Sequence, residues 1–169
     1  MAPHLSKNPI YIIIIFLFII FGLLIFYFTQ ASSTFTSTIV NINNQKINLE
    51  IAKTNSQKAK GLSGRTNLCP NCGMIFIFNK EGIYPFWMKD TLIPLDLIWL
   101  NSKGLIVSIL TAKPEPNTPI TQLKLYQNQK PAKYVIELNA NRARELNLKI
   151  GDKIEIPSLW WQPNNRIIP

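Results

Sequence analysis

The fold of this chain is decided by the stretch LDLIWLNSKGLIVSIL, which occupies residues 95–110. Two largely apolar runs flank the polar turn Asn-Ser-Lys-Gly at residues 101–104. Short runs rich in Ile, Val and Trp, bounded by a turn signal, are typical of strands buried in a β-sheet. Residues 95–100 and 105–110 are therefore predicted to pair as an antiparallel hairpin.

Other parts of the chain repeat this pattern of short strands and turns. The apolar run at residues 74–78 favours a strand buried on both faces, and residues 39–51 favour a hairpin that turns through Asn43-Asn44-Gln45. Residues 113–119 hold three Pro and are predicted to be an exposed loop. Further strands are predicted at residues 134–138 and 153–156. Short helices are predicted at residues 55–60, capped by Asn55 or Ser56 and ended by Gly61, and at residues 141–146. These elements predict a mainly β domain, a small antiparallel β-sandwich or barrel with one or two short helices.

The amino-terminal part of the chain differs in composition from the rest. Residues 10–28 carry no charge, and a helix of that length nearly spans the roughly 30 Å hydrocarbon core of a bilayer. Lys7 precedes this run and the next positive charge is Lys46, an asymmetry that places the N-terminus in the cytoplasm. A cleaved signal peptide, with a small-residue cleavage site at residues 29–31, is the alternative. Either interpretation predicts a domain on the extracytoplasmic side of the cell membrane.

The remaining sequence has the length of one ordinary domain. The formal net charge is +9, but the basic residues are spread singly, which favours a solvated basic surface near an anionic membrane or wall. Nucleic acid is not expected as a partner, and no feature of the sequence defines an oligomeric state. The predicted order is a cytoplasmic segment (1–9), a transmembrane anchor or signal peptide (10–28), a linker (29–38), the β domain (39–156) and a Pro/Trp-rich tail (157–169).

The segment FWMKDTLIPLD, residues 86–96, places charged groups among residues that favour burial. Buried charges are costly unless they are paired, so the segment indicates either an internal ion-pair network or a site. An extended chain directs Trp87, Lys89 and Thr91 to one face. Together with Asp90, these residues are candidates to bind a small polar or sugar-like ligand in a concave site.

Three other charged residues have two interpretations each. Asp96 enters a strand that is apolar on both sides, and the guanidinium of Arg65 is a suitable partner for it. This pair is either a structural clamp or part of the ligand site. Glu137 could add a further carboxylate, although an exposed strand face explains it equally well.

Cys69 and Cys72 are the only cysteines, and they are spaced C-x-x-C. A local disulfide is the default outside the cell, while redox chemistry or metal contact through the two thiols is the alternative. The single histidine, His4, is predicted to lie on the other side of the membrane. A tetrahedral metal site within the chain is therefore not expected, and no cofactor is predicted.

Several motifs in series make the chain resemble the domain of unknown function 192 (DUF192) family. These motifs are GLSGR at 61–65, GMIFIF at 73–78, FWMKDTLIPLDL at 86–97, AKYVIELNA at 132–140 and IGD at 150–152. The resemblance covers roughly residues 40–156 and implies a compact β-sandwich that is often exported or membrane-tethered. It implies no reaction. This chain departs from the family pattern at Asp90, where Asn is usual, and at residues 69–72, where a Pro/acidic loop is expected.

The function predicted from the sequence is therefore a membrane-anchored extracytoplasmic module that binds a ligand or serves as a scaffold. Whether it is an enzyme is left open. One alternative is a cofactor-free hydrolase that uses Asp90, Asp96 or Glu137 for acid–base chemistry. The other is thiol-redox or metal contact through Cys69 and Cys72.

Overall fold

The computed structural model describes residues 9–29 and 35–157, with side chains described outside residues 24–29. The chain divides into two units, residues 1–34 and residues 35–169. The predicted cytoplasmic segment apart from residue 9, residues 30–34 of the predicted linker and the tail from residue 158 lie outside the described residues, as does His4.

The first unit contains one helix, α1 (Pro9–Thr29). The sequence of α1 has no acidic residue in its first turn and no basic residue in its last turn. Its large apolar side chains from Ile10 to Leu23 are exposed. Over the residues that the structure describes, no helix meets the length and apolar character required to cross a membrane.

The second unit is built on one six-stranded sheet with the strand order β1-β2-β3-β6-β4-β5. Its strands are β1 (Thr36–Ile42), β2 (Gln45–Ala52), β3 (Cys72–Gly82), β4 (Leu95–Leu100), β5 (Ile106–Ala112) and β6 (Ala132–Asn139). The pairing of β2 with β3 is parallel, and the other four pairings are antiparallel. The prediction of a mainly β domain is confirmed, but the purely antiparallel arrangement is wrong in this one pairing. The parallel pair arises because β2 and β3 are joined by a connection that contains a helix and crosses the length of the sheet.

Both predicted hairpins are present. Strands β1 and β2 pair through a two-residue turn in which Asn43 has φ of 45° and Asn44 has φ of 64°. Asn tolerates this left-handed conformation better than most residues, and two such residues in succession match the twist of a tight hairpin. Strands β4 and β5 form the second hairpin. Residues 153–156 do not form the predicted strand, since only an isolated bridge joins Lys153 to Leu105.

The described strands form one sheet that is covered on both faces by helix and loop residues, so the predicted sandwich of two packed sheets is wrong. One face packs against α3 (Arg142–Glu145) and the segment that follows it, through Ala143, Leu146 and Ile154. The other face packs against loop residues that include Leu62, Met88 and Tyr126. The central strands β3, β4 and β6 are consequently buried on both faces, which explains their continuous apolar sequences.

Helix α2 (Asn55–Lys60) lies in the connection between β2 and β3. It begins with a capping box in which the Thr54 hydroxyl accepts from the backbone N–H of Gln57, whose side chain accepts from the Thr54 N–H. The predicted cap at Asn55 or Ser56 is therefore wrong by one or two residues, because only Thr54 stands three residues before the Gln that closes the box. It ends at Gly61, which has φ of 46°, as the sequence predicts. These two caps fix where the chain leaves the helix, and so position the loop that forms one wall of the cavity described next.

Candidate functional site

A cavity of about 240 Å³ lies on the sheet face that carries Met74, Phe76 and Leu97. The end of α2 and the loop after it form one wall, and the segment 85–91 forms another. Strands β3 and β6 contribute Phe76, Phe78 and Glu137. The cavity therefore collects residues from four separate parts of the chain. The lining residues on which the site depends are Lys58, Lys60, Phe78, Trp87, Lys89, Thr91 and Glu137.

Glu137 is the unusual residue of this cavity. It is only 5% exposed, and on the sheet it lies directly between Met74 of β3 and Leu97 of β4. Its Oε2 atom is buried and has no hydrogen-bond partner among the described residues. An unsatisfied buried polar atom in a folded protein requires an explanation, and a ligand that completes the hydrogen bond is one.

Burial raises the pKa of Glu137 to about 8, and the positive charge of Arg65 opposes this rise. The cause is desolvation, since the low dielectric of the interior disfavours the charged form of a carboxyl. Glu137 is therefore mostly protonated at neutral pH, where it can donate one hydrogen bond and accept others. A buried carboxyl with a strongly shifted pKa in a cleft is a recognised sign of a functional site.

Aromatic rings form much of the apolar surface around this carboxyl. Phe86 meets Phe76 edge to face, with ring centroids 4.9 Å apart, and Phe78 stacks on Tyr84 at 3.6 Å. These contacts hold the rings in place. Trp87 is different because 45% of it is exposed, so its indole can offer a flat surface to a ligand.

Three lysines give the lining a positive character. The Nζ of Lys58 lies 4.7 Å from the centroid of the Phe78 ring, and burial lowers the pKa of this lysine. Lys60 lies in the last turn of the same helix. Lys89 comes from the other wall, and its Nζ is 3.4 Å from Asp90 Oδ2. Glu137 is the only acidic residue that lines the cavity.

The structure brings together some of the predicted ligand-binding residues and separates others. Trp87, Lys89 and Thr91 all line the cavity, as their predicted common face requires. Asp90 does not line it. This residue is exposed, has φ of 52° and accepts a hydrogen bond from the Gly64 N–H through its backbone carbonyl at 2.8 Å. Asp tolerates positive φ better than most residues, so Asp90 suits this turn.

The predicted pair between Arg65 and Asp96 is wrong. Arg65 instead binds Glu50 on β2 through two hydrogen bonds of 2.6 Å each. Asp96 accepts hydrogen bonds from the Thr111 hydroxyl at 2.7 Å and from the Ala143 N–H at 2.9 Å. Asp96 is therefore satisfied by a neighbouring strand and by the start of α3, and neither it nor Arg65 lines the cavity.

Cys69 and Cys72 lie at disulfide distance, with their Sγ atoms 1.99 Å apart. Asn139 holds this loop by donating to the backbone carbonyls of Leu68 and Cys69. The two cysteines are not part of the cavity lining. No cluster of three or more His, Cys, Asp or Glu residues that could hold a metal occurs within the described ranges.

Sequence reasoning missed the importance of Glu137 and the contributions of Lys58, Lys60 and Phe78. Glu137 carried a usable signal, since it is a single charged residue inside the apolar run YVIEL at residues 134–138. The two lysines carried none, because surface helices commonly bear lysine on their solvent face.

The chain matches known proteins over most of this domain. The sequence model of the DUF192 family, described as an uncharacterized group, matches residues 38–156. A UPF0127 protein of Pyrococcus abyssi is 31% identical over 112 residues, which cover 63% of this chain and 84% of that protein.

Two crystal structures share the fold. A protein from Sinorhizobium meliloti, provisionally described as a transcription regulator, is 27% identical with a TM-score of 0.63, and the match covers 74% of this chain and 97% of that one. A protein of unknown function from Novosphingobium aromaticivorans is 31% identical with a TM-score of 0.61, covering 75% and 89% of the two chains.

Proposed function

The chain belongs to the DUF192 family, and from its cavity we propose that its β domain is a binding module for a small polar organic ligand. The observation that carries the proposal is Glu137, whose buried Oε2 lacks a hydrogen-bond partner among the described residues while its carboxyl lines the cavity. A ligand hydroxyl at this position would complete the missing hydrogen bond. Such completion favours binding, because leaving a buried polar group unsatisfied costs about 1–3 kcal/mol.

The size and lining of the cavity restrict the ligand. Its volume of about 240 Å³ is below the roughly 300–1,000 Å³ typical of pockets for drug-sized molecules. A single sugar ring is of suitable size, and an oligosaccharide is too large to be enclosed. The exposed face of Trp87 supports the same assignment, because an aromatic plane can stack on the apolar face of a sugar.

We further propose that the module is tethered to the cell membrane, with its N-terminus in the cytoplasm and its β domain on the extracytoplasmic side. The support is the uncharged run at residues 10–28 and the exposure of the apolar side chains of α1 from Ile10 to Leu23. Fusion of alkaline phosphatase or of a green fluorescent protein to the carboxyl terminus tests this orientation. Phosphatase activity without fluorescence is expected, and the reverse result would contradict the proposal.

Ligand binding is tested with the full-length chain, purified in a detergent that has no sugar headgroup. Titration of a panel of neutral, acidic and amino monosaccharides by isothermal calorimetry is expected to reveal at least one ligand. Trp87→Ala should weaken its binding at least ten-fold, since that side chain lines the cavity. Ile83→Ala is the matched control, because Ile83 is 46% exposed, close to the 45% of Trp87, and lies outside the lining.

Glu137→Leu provides the second arm of this experiment. The substitution replaces the carboxyl with methyl groups, so a side chain still fills this part of the core but both oxygens are gone. A loss of binding in a variant that still folds, as judged by circular dichroism, would support the proposal. Binding that is unaffected by Glu137→Leu, or the absence of any binding by the parent chain, would overturn it.

A further inference from the structure

We propose that the ligand of this cavity is an acidic monosaccharide, whose carboxylate binds the lysines of the lining while one of its hydroxyls binds Glu137. This inference rests on the proposed function and adds the charge of the ligand to it. It assigns separate tasks to the two polar parts of the cavity, the lysines and the buried carboxyl.

The distribution of charge in the lining is the first support. Lys58, Lys60 and Lys89 contribute three positive charges, whereas Glu137 is the single acidic residue. Lys58 and Lys60 approach from α2, and Lys89 approaches from the segment 85–91. An anion within the cavity would therefore meet positive charge contributed by two separate walls. Such an arrangement raises the local concentration of anionic ligands and repels cationic ones.

The state of these lysines is the second support. Neither Lys58 nor Lys60 forms an ion pair with any of the described residues, and Lys58 is positioned over the Phe78 ring. Burial penalises the charged form of Lys58, which lowers its pKa. A bound carboxylate would supply the opposite charge that this partly desolvated ammonium lacks. Lys89 does have a partner, but its pair with Asp90 is exposed and therefore weak.

The protonation state of Glu137 removes the main objection to an anionic ligand. If this carboxyl were ionised, it would repel a carboxylate and favour an amine. Its pKa of about 8 keeps it mostly neutral at pH 7, so it contributes a hydrogen-bond donor and no charge. A sugar hydroxyl can accept a hydrogen bond from this O–H or, when the hydroxyl is turned the other way, donate one to the buried Oε2. Glu137 therefore favours a ligand with a hydroxyl at this position and does not favour a charged group there.

The experiment measures the binding of glucuronate, galacturonate, glucose, galactose and glucosamine to the full-length chain at pH 7. We expect at least one uronate to bind ten-fold or more tightly than its neutral counterpart, and glucosamine to bind most weakly. Lys60→Gln should reduce the preference for the uronate at least three-fold while leaving the melting temperature unchanged. Lys46→Gln is the control, because Lys46 is an exposed lysine on β2 outside the cavity lining.

The possible outcomes separate this inference from the proposed function. Equal binding of uronate and neutral sugar, still dependent on Trp87 and Glu137, would overturn the acidic ligand but leave the binding module intact. Tightest binding of glucosamine would likewise overturn the inference, since it would require an ionised Glu137. If none of the five compounds binds, the acidic ligand and the sugar-binding cavity both fall.

Discussion

Asp96 and Glu137 lie on opposite faces of the same sheet. Asp96 on β4 is directly opposite Leu138 on β6, and Glu137 is directly opposite Leu97. Because neighbouring side chains along a strand alternate between the two faces, this register directs the two carboxyls away from each other. A hydrolase that uses both residues on one substrate is therefore incompatible with the fold. Asp90, the third predicted carboxylate, is exposed and outside the cavity lining.

The role of Asp96 is expected to be structural. Replacement by Asn should lower the free energy of unfolding by about 1–3 kcal/mol, since one of the two donors, the Thr111 hydroxyl or the Ala143 N–H, would face an amide NH₂. Urea denaturation followed by circular dichroism measures this change. Asp90→Asn is the matched control and should change the free energy by less than about 0.5 kcal/mol, because Asp90 is exposed. A cost for Asp90→Asn as large as that for Asp96→Asn would contradict the assignment.

The buried carboxyl of Glu137 predicts that stability falls as the pH rises. The pKa of Glu137 is about 8 in the folded state and has its ordinary value of 4.5 in the unfolded state, so the folded state retains the proton up to a higher pH. The carboxyl therefore imposes no penalty below pH 4.5, and its penalty grows until the pH passes about 8. The loss of unfolding free energy can reach at most about 5 kcal/mol, because each pKa unit between 4.5 and about 8 corresponds to about 1.4 kcal/mol.

Melting temperatures of the parent chain and of Glu137→Gln, measured between pH 4.5 and pH 9, test this prediction. The Gln variant has no titrating group at this position, so its stability relative to the parent should increase with pH. Parallel curves for the two proteins would show that the carboxyl of Glu137 titrates normally.

The ion pair between Arg65 and Glu50 is expected to stabilise the loop after α2. Arg65→Ala should cost about 1–2 kcal/mol, since it removes a bidentate, half-buried pair. Lys89→Ala should cost less than about 0.5 kcal/mol because that lysine is exposed.

A double-mutant cycle identifies the true partner of Arg65. The cycle of Arg65→Ala with Glu50→Ala should give a coupling energy of about 1 kcal/mol, whereas the cycle with Asp96→Asn should give a value near zero. Coupling to Asp96 instead of Glu50 would restore the pairing that the sequence suggested and would contradict the structure.

Gly73 on β3 is expected to be essential for the close packing of β3 against β6 on the sheet face opposite the cavity. A Cβ at this position would collide with the backbone carbonyl of Glu137 and would lie 2.6 Å from the Leu138 side chain. Gly73→Ala should therefore destabilise the domain by about 1–3 kcal/mol, the usual range for overpacking. Gly82→Ala is the control, because the Cβ it adds would lie 3.2 Å from the Tyr84 ring, a contact that a small shift relieves. Equal melting temperatures for the two variants would show that β3 and β6 can separate locally at low cost.

Six strands, the two hairpins and the end of α2 at Gly61 could be predicted because their signals are local, whereas the helix start was placed at Asn55 or Ser56 instead of Thr54. An apolar run such as residues 74–78, a turn at Asn43 and Asn44, or a helix end at Gly61 depends on the conformational preferences of a few adjacent residues. The shared cavity position of Trp87 and Lys89 was predictable for the same reason, since alternate residues of an extended segment point to the same side. Thr91 joins them through the turn at Asp90, which the prediction of an extended segment did not include.

Partners that are distant in sequence were not predictable in this way. The sequence showed that Arg65 and Asp96 each needed a partner, but several residues of opposite charge or polarity could have provided it. Arg65 and Glu50 are 15 residues apart in the chain, and Ala143 and Asp96 are 47 apart, so each contact exists only once the domain has folded.

By itself, the sequence determined that this protein has an uncharged amino-terminal run followed by a β-rich domain with charged residues among its buried strands. Tertiary structure alone decided which of those charges form a site. Glu137 became its centre because the register of β6 between β3 and β4 turns this carboxyl toward the lysines of α2, away from Asp96. The physical reason is that strand and helix preferences act between neighbours in the chain, whereas desolvation and hydrogen bonding depend on whatever surrounds a group in space.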